Sequence, residues 1–236
     1  MIKGILFDKD GTLLDFNRSW LAPYLQASEY LASSIGRPEL ASELMAKGGY
    51  IAESNSWIQD SLLASGSNRQ ILDFWSKEIG QPLEGERLDM VYAIFAHASN
   101  AYVPVLEDLG GFLQQLRDRG IKLGLATMDD ESNAYGMLDK LSLGGLFDFV
   151  CGANSGYGVK PEPGMIMAFC DQCQLTATEV MMVGDSPRDL VMGKNAGAAL
   201  SVGVLTGAHD RVQLEGFGDL VLNDISGLIS VLDRNG

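Results

Sequence analysis

The sequence predicts an α/β protein: a parallel β-sheet covered on both faces by helices, with a helical segment inserted after the first strand. Three observations carry this. Short, near-continuous apolar runs recur along the chain, helix-period segments separate most of them, and residues 16–93 break the alternation with helices alone. Strands buried on both faces read as unbroken apolar runs, because both sets of side chains meet apolar layers.

The runs are Ile2–Phe7, Lys122–Thr127, Phe147–Gly152, Val180–Gly184, Leu200–Leu205 and Leu220–Leu222. Between and after them, Asp108–Arg119, Glu131–Lys140, Pro163–Gln174, Pro187–Ala196 and Ser226–Leu232 carry helical patterning, and Gly120 is a C-terminal stop signal for the first. A direct crossover between parallel strands needs only about a dozen residues. From Phe16 to Ala93 the chain spends far more, with no strand signal. Trp20, Leu21, Tyr24, Leu25, Ser28 and Leu31 recur at helical spacing, as do Ile71, Leu72, Trp75 and Ile79. Turn residues at Gly36-Arg37-Pro38, Gly48-Gly49, Ser65-Gly66-Ser67 and Gly80-Gln81-Pro82 divide the segment into several helices. Trp20, Trp57 and Trp75 all fall here, enough bulk for a small core of its own. The expected domains are therefore a core of residues 1–15 and 94–236 and a helical insertion of residues 16–93.

Composition narrows the function. With 31 acidic and 17 basic residues the net charge is -14, a field that repels phosphate backbones and anionic lipid surfaces. Nucleic-acid and membrane partners are not expected, and an anionic small substrate needs a locally positive pocket. No apolar run approaches the roughly 18 residues of a membrane span, and the apolar start of MIKGILFD is too short for a signal peptide. Cys170 and Cys173 form a single C-x-x-C, while Cys151, His97 and His209 stand apart in sequence. That ligand count speaks against zinc and against redox use. A cytoplasmic protein, monomeric or homodimeric, is the expectation.

In open parallel sheets, ligands bind beyond the carboxyl ends of the strands. Asp8, Lys9, Asp10, Gly11 and Thr12 follow the first run, and Thr127 ends the second. Lys160 follows the third, and Gly184, Asp185 and Asp189 follow the fourth. Asp8, Asp10 and Asp185, the Thr127 hydroxyl and the Lys160 ammonium thus converge on one edge. Asp8 and Asp10 are two apart, so an extended backbone turns both to one side, and Gly11 lets the chain bend away. Adjacent carboxylates repel, which separates their pKa values and their roles. With Asp185 they make a hard-oxygen site of the kind Mg²⁺ prefers. Lys160 and Thr127 offer charge and a donor to phosphoryl oxygens.

These residues resemble a known family. Asp8-Lys9-Asp10-Gly11-Thr12 matches the D-x-D-G-T signature of phosphatases of the haloacid dehalogenase superfamily, and Thr127 is similar to their second motif. Lys160-Pro161 is similar to the third, and Gly184-Asp185-Ser186-Pro187-Arg188-Asp189 to the fourth. The resemblance covers the whole chain and is nearest to phosphoglycolate phosphatases. It implies a Rossmann-like core with a mobile helical cap. It also implies Mg²⁺ held by the Asp8 carboxylate, the Asp10 backbone carbonyl and Asp185. Asp8 is the implied nucleophile and Asp10 the proton donor and acceptor. Gly11, Thr12 and the Met128 N–H are implied contacts to a small phosphate ester. Asp189 takes a supporting role, since Ser186, Pro187 and Asp189 also read as N-cap, N1 and N3 of a helix. Arg18, six residues past Thr12, is the leading candidate for a substrate carboxylate, with Lys47 and Arg69 next.

Two positions depart from the family pattern. Lys9 stands where an apolar residue is usual, and side-chain alternation should turn it away from Asp8 and Asp10. Met128-Asp129-Asp130 replaces an uncharged run, with Asp130 a candidate helix cap. Asp10 speaks against a dehalogenase or a phosphonate hydrolase. Cation-pumping ATPases carry Thr at that position and need membrane helices. A phosphoglucomutase-like transferase is the closer rival, although such mutases typically carry an apolar residue where Thr12 stands. A non-catalytic phospho-ligand binding module is the alternative from another class.

Overall fold

The structure, a computed structural model, describes residues 1–58, 61–98 and 102–234, the side chains of residues 96–98 excepted. His97 therefore lies outside the described side chains. Strand β1 (Gly4–Phe7) opens the chain and is buried at every position. Helices α1 (Phe16–Ser34) and α2 (Leu40–Lys47) follow, then an antiparallel pair, β2 (Tyr50–Ile51) and β3 (Ser56–Trp57). Three more helices come next: α3 (Leu62–Ser65), α4 (Asn68–Ile79) and α5 (Gly85–Ala98). The alternation resumes with α6 (Leu109–Asp118), β4 (Lys122–Ala126), α7 (Glu131–Lys140), β5 (Phe149–Cys151) and α8 (Gly164–Cys173). It ends with β6 (Val180–Gly184), α9 (Pro187–Ala196), β7 (Leu200–Val204), α10 (Arg211–Glu215), β8 (Leu220–Leu222) and α11 (Leu228–Arg234).

The chain divides into two compact units, Met1–Asp15 with Pro104–Gly236, and Phe16–Val103. The second unit runs past Ala93, where the sequence placed its end. Ile94 and Phe95 of α5 are buried, and the Val103 N–H donates to Ser19 Oγ of α1 at 3.2 Å. A helix that continues smoothly offers no break for a sequence reading to find.

In the first unit all six strands are parallel, in the order β5-β4-β1-β6-β7-β8. Each expected apolar run contains one of them. Leu6, Ala126, Phe149, Met165, Ile166, Phe169, Met182 and Met192 form a buried cluster against one face. Cys170 belongs to it and Cys173 packs against it, so the C-x-x-C is part of the wall of the core. All three cysteines are free thiols, and burial pushes Cys151 up to about 12, a protonated form with little reactivity. Helix α10 has no counterpart in the sequence reading. It is five residues long, too short for a period, and is set by Asp210 accepting from the Gln213 N–H at 3.0 Å.

The second unit is built around aromatic rings. Trp20 stacks on Tyr24 at 5.4 Å, and Tyr24 meets Trp57, Trp75 and Phe95 edge-on. Helix α4 starts at a Ser67–Gln70 capping box and stops at Gly80, whose φ of 70° favours glycine. The β2–β3 pair corrects the expectation that this segment holds no strand. Two residues per strand leave no alternation to detect. Among the described residues no helix is long and apolar enough to cross a membrane.

Candidate active site

The order of strands switches around β1, and three of the predicted residues come from the ends of β1, β4 and β6. Phe7 lies beside both Leu125 and Val183, so the next residues of all three strands leave the sheet at one edge. The Asp8 N–H donates to the Val183 carbonyl at 2.9 Å, and the Thr127 N–H to the Cys151 carbonyl at 3.1 Å. Beyond Asp10 the chain reverses tightly. Gly11, with φ of 80°, donates to the Leu14 carbonyl, and Leu13 and Leu14 donate back to Lys9.

Lys160 is nearly fully buried and lies between two acids. Its ammonium donates to Asp8 Oδ1 at 2.5 Å and to Asp189 Oδ1 at 2.6 Å. The loop carrying it is held from α9, where the Asn195 amide donates to the Pro161 carbonyl at 2.9 Å, and the Lys160–Pro161 peptide bond is cis. The other oxygen of Asp189 accepts from the Ser186 N–H and Oγ at 3.1 and 2.6 Å, while Ser186 caps α9 with Pro187 in its first turn. One side chain thus ends a helix and orients the lysine.

Carboxylate oxygens of Asp8, Asp185 and Asp189 lie within 4.8 Å of one another. Asp10's carboxylate is not part of this cluster. Burial pushes the Asp8 carboxyl up to about 7, with Lys160 opposing and Asp189 and Asp10 adding to the rise. Burial likewise raises Asp185, reinforced by the charges of Asp8 and Asp189. For Lys160, burial alone would favour the neutral amine, but Asp189 and Asp8 outweigh it and raise its pKa. One ammonium among three crowded carboxylates leaves negative charge unbalanced. Hard oxygen donors with that excess fit a divalent cation such as Mg²⁺.

The loop after β7 closes the site and was not legible in the sequence. Thr206 Oγ1 donates to the Gly11 carbonyl at 2.6 Å, and the Ala208 N–H points at Asp185 Oδ2 at 3.4 Å. A Cβ on Gly207 would fall 1.7 Å from Asp185 Oδ2, and one on Gly11 2.6 Å from the same carboxylate. Both glycines are needed for the carboxylate to fit. No polar motif marks this loop.

Lys9 behaves differently from its sequence expectation. Its side chain is completely buried and turns toward Asp10, not away, with Nζ 3.2 Å from Asp10 Oδ2 and 2.6 Å from Asp129 Oδ2. Strand β1 ends at Phe7, so alternation no longer governs Lys9, and its long stem reaches the acid. Asp129 in turn accepts from the Asp130 N–H at 2.7 Å and the Asn133 amide at 2.8 Å through Oδ1. Burial alone would raise Asp129, but the Lys9 ammonium and these donors hold its carboxyl below the usual range. Asp130 does occupy the N-cap position of α7, yet its side chain makes no cap hydrogen bond.

Thr127 is buried, and its Oγ1 accepts from the Asp129 N–H at 3.1 Å. Thr12 is fully buried, with a hydroxyl that has no partner among the described residues. No acceptor takes the Met128 N–H among those residues. Arg18 and Arg69 are exposed, on α1 and α4 of the other unit. Lys47 is paired with Glu43 at 2.8 Å and Glu78 at 2.6 Å.

The parallel sheet thus presents carboxylates and a buried lysine together at its switch point. A family model described as haloacid dehalogenase-like hydrolase matches residues 2–197, and the chain belongs to that family. It is therefore an enzyme. It is 26% identical to a phosphoglycolate phosphatase of Vibrio parahaemolyticus, over 98% of this chain and 96% of that one. It is 25% identical to the pyrophosphatase PpaX of Bacillus mycoides, over 99% and 98%. Among solved structures, a Thermotoga maritima protein provisionally assigned as a β-phosphoglucomutase superposes with a TM-score of 0.70. That match covers 99% of both chains at 20% identity, and so speaks for the fold alone.

Proposed function

We propose that this hydrolase is a Mg²⁺-dependent phosphatase that cleaves a small phosphate monoester, phosphoglycolate-like or a sugar phosphate, through a phosphorylated Asp8. The observation that carries the reading is the Asp8–Lys160–Asp189 arrangement beside Asp185. Lys160 keeps the Asp8 carboxylate in one orientation, ready for in-line attack at phosphorus. The bond formed is Asp8 oxygen to phosphorus, and the bond broken is phosphorus to the ester oxygen. Asp10 gives its proton to the leaving alkoxide, then takes one from the water that cleaves the aspartyl-phosphate. Thr127, Lys160 and the Met128 N–H hold the phosphoryl oxygens, whereas Gly11, whose N–H goes to the Leu14 carbonyl, and Thr12, whose side chain is fully buried, shape the turn beside them. Asp8, Asp185 and the Asp10 carbonyl would hold the cation, which supplies positive charge opposite those oxygens.

Hydrolysis is preferred to phosphoglucomutase-like transfer because Thr12 stands where such mutases typically carry an apolar side chain, and because relatives that match the whole chain are named phosphatases. The test is phosphate release from a panel holding 2-phosphoglycolate, sugar phosphates and pyrophosphate. Activity should vanish in chelator and return with Mg²⁺. Full turnover in metal-free protein would refute the reading.

The specificity contact belongs on this reading to the helical unit, with Arg18 the first candidate. An exposed arginine can offer two parallel N–H donors to a carboxylate. Arg18→Ala should lower kcat/KM for a carboxylated substrate by roughly tenfold, the value of about 1.5–3 kcal/mol for a charge-assisted bond. Hydrolysis of an aryl phosphate should hardly change. Equal losses on both would exclude Arg18, and Lys47 and Arg69 would be tested in turn.

A further inference from the structure

We infer that Lys9 and Asp129 are positioning residues that fix the Asp10 carboxylate for proton transfer to the leaving group. The inference rests on the proton-transfer role proposed above for Asp10. Burying an ammonium is costly unless it is paired and hydrogen-bonded, and Lys9 is completely buried. Its charge is met from two sides, by Asp129 at 2.6 Å and by Asp10 at 3.2 Å. Asp129 is the fixed end. Its Oδ1 is tied to α7 by Asn133 and the Asp130 N–H, its N–H to Thr127 Oγ1, and its carbonyl to the Ala153 N–H at 2.9 Å. Asp10 is the working end, with its side chain one-fifth exposed.

The two carboxylates of the first motif are therefore each held by a separate lysine that a second acid anchors. Asp8 has Lys160 and Asp189, and Asp10 has Lys9 and Asp129. The second arrangement unites both departures of the sequence from its family pattern. A lysine at position 9 and an acid at position 129 are one structural feature, made by residues 120 apart. A proton donor held close to its working position transfers its proton faster than one free to wander, because a misplacement of about 1 Å is costly to the rate. Lys9 itself need not touch the substrate.

The test compares leaving groups. An alkoxide needs a proton as it departs, whereas p-nitrophenolate does not. The ratio kcat/KM covers binding and the steps up to departure of the leaving group, so the shared hydrolysis of the aspartyl-phosphate drops out. The double variant Lys9→Met with Asp129→Asn replaces the ion pair by side chains of similar size and should fold. Its kcat/KM for 2-phosphoglycolate should fall about tenfold or more, against less than about threefold for p-nitrophenyl phosphate. Asp10→Asn should show the same selectivity, more strongly. Should the double variant not fold, Asp129→Asn alone, which leaves Lys9 to Asp10, should give a smaller loss of the same selectivity. Equal losses on both substrates, or none, would overturn the inference while Asp10→Asn stayed selective. Were Asp10→Asn itself unselective, the proposed role of Asp10 would fall and this inference with it.

Discussion

Asp8→Asn should abolish turnover, with a loss of roughly 10⁴ or more, because an amide is neither a usable nucleophile nor a good ligand for a hard cation. The wild-type protein, treated with beryllofluoride and Mg²⁺, should carry the adduct on Asp8, and the variant should carry none. An adduct on another residue, or a near-normal rate in the variant, would show that the nucleophile lies elsewhere. The same substitution should make the metal-free protein more stable at pH 8, and the sign follows from the raised carboxyl. The folded value for Asp8 is about 7, above the ordinary carboxylate range, so between about pH 4 and 7 the native state keeps a proton that the unfolded chain has released. Stability contributed by this group therefore falls as pH rises through that window. Lys160, Asp189, Asp10 and Asp185 all face the group, and the net effect of this surrounding is to disfavour its charge. Asn carries no charge to disfavour. The difference in Tm between variant and wild type, measured in chelator, should grow from pH 5 to pH 8. A constant difference would contradict the raised value.

Strand ends and the polar residues gathered at them were legible in the sequence for a common reason. Strands buried on both faces need apolar side chains at every position, so the first acid or hydroxyl after each run marks where the chain leaves the sheet. Asp8, Thr127 and Asp185 announce themselves this way, and Lys160 follows at short range. Ser186, Pro187 and Asp189 were readable as a helix start because capping is local. What stayed hidden is non-local or featureless. The Lys9–Asp129 pair joins two loops that only β1–β4 pairing brings together, and alternation gave the wrong direction for Lys9 once the strand had ended. Gly207 and Thr206 carry no signal, since a small residue and a hydroxyl after a strand are common. Their importance comes from Asp185, which leaves no room for a Cβ at position 207. The β2–β3 pair and α10 fall below the length at which a period can be counted. The extent of α5 was missed because a helix interior has no punctuation.

Lys160→Met should damage both function and fold, and it separates the lysine's two tasks. The ammonium is buried against Asp8 and Asp189, so its removal leaves two carboxylates without their counter-charge. Breaking a buried pair from one side costs about 3–5 kcal/mol, which for a chain of this size corresponds to a fall in Tm of roughly 10 °C. The pH dependence has a definite sign. A raised lysine pKa contributes stability that is complete below the unfolded value near 10 and is lost only as pH climbs through the higher folded value, so Lys160 stays charged from pH 5 to pH 9. Asp8 is the group that titrates in this range. Below about 7 its carboxyl is protonated and no longer needs the lysine, so the variant should lose less stability at pH 5 than at pH 8. Activity with saturating Mg²⁺ should drop by about 10² to 10³, the value of one preorganised charge on the transferring group. Added Mg²⁺ should recover part of the Tm at pH 8, because a cation among Asp8, Asp185 and Asp189 restores the missing counter-charge. It should not recover the rate, since a cation cannot replace the donor that fixes the direction of the Asp8 oxygen. A variant with unchanged Tm at pH 8, or with a near-normal rate at saturating Mg²⁺, would show that Lys160 neither balances these carboxylates nor orients Asp8.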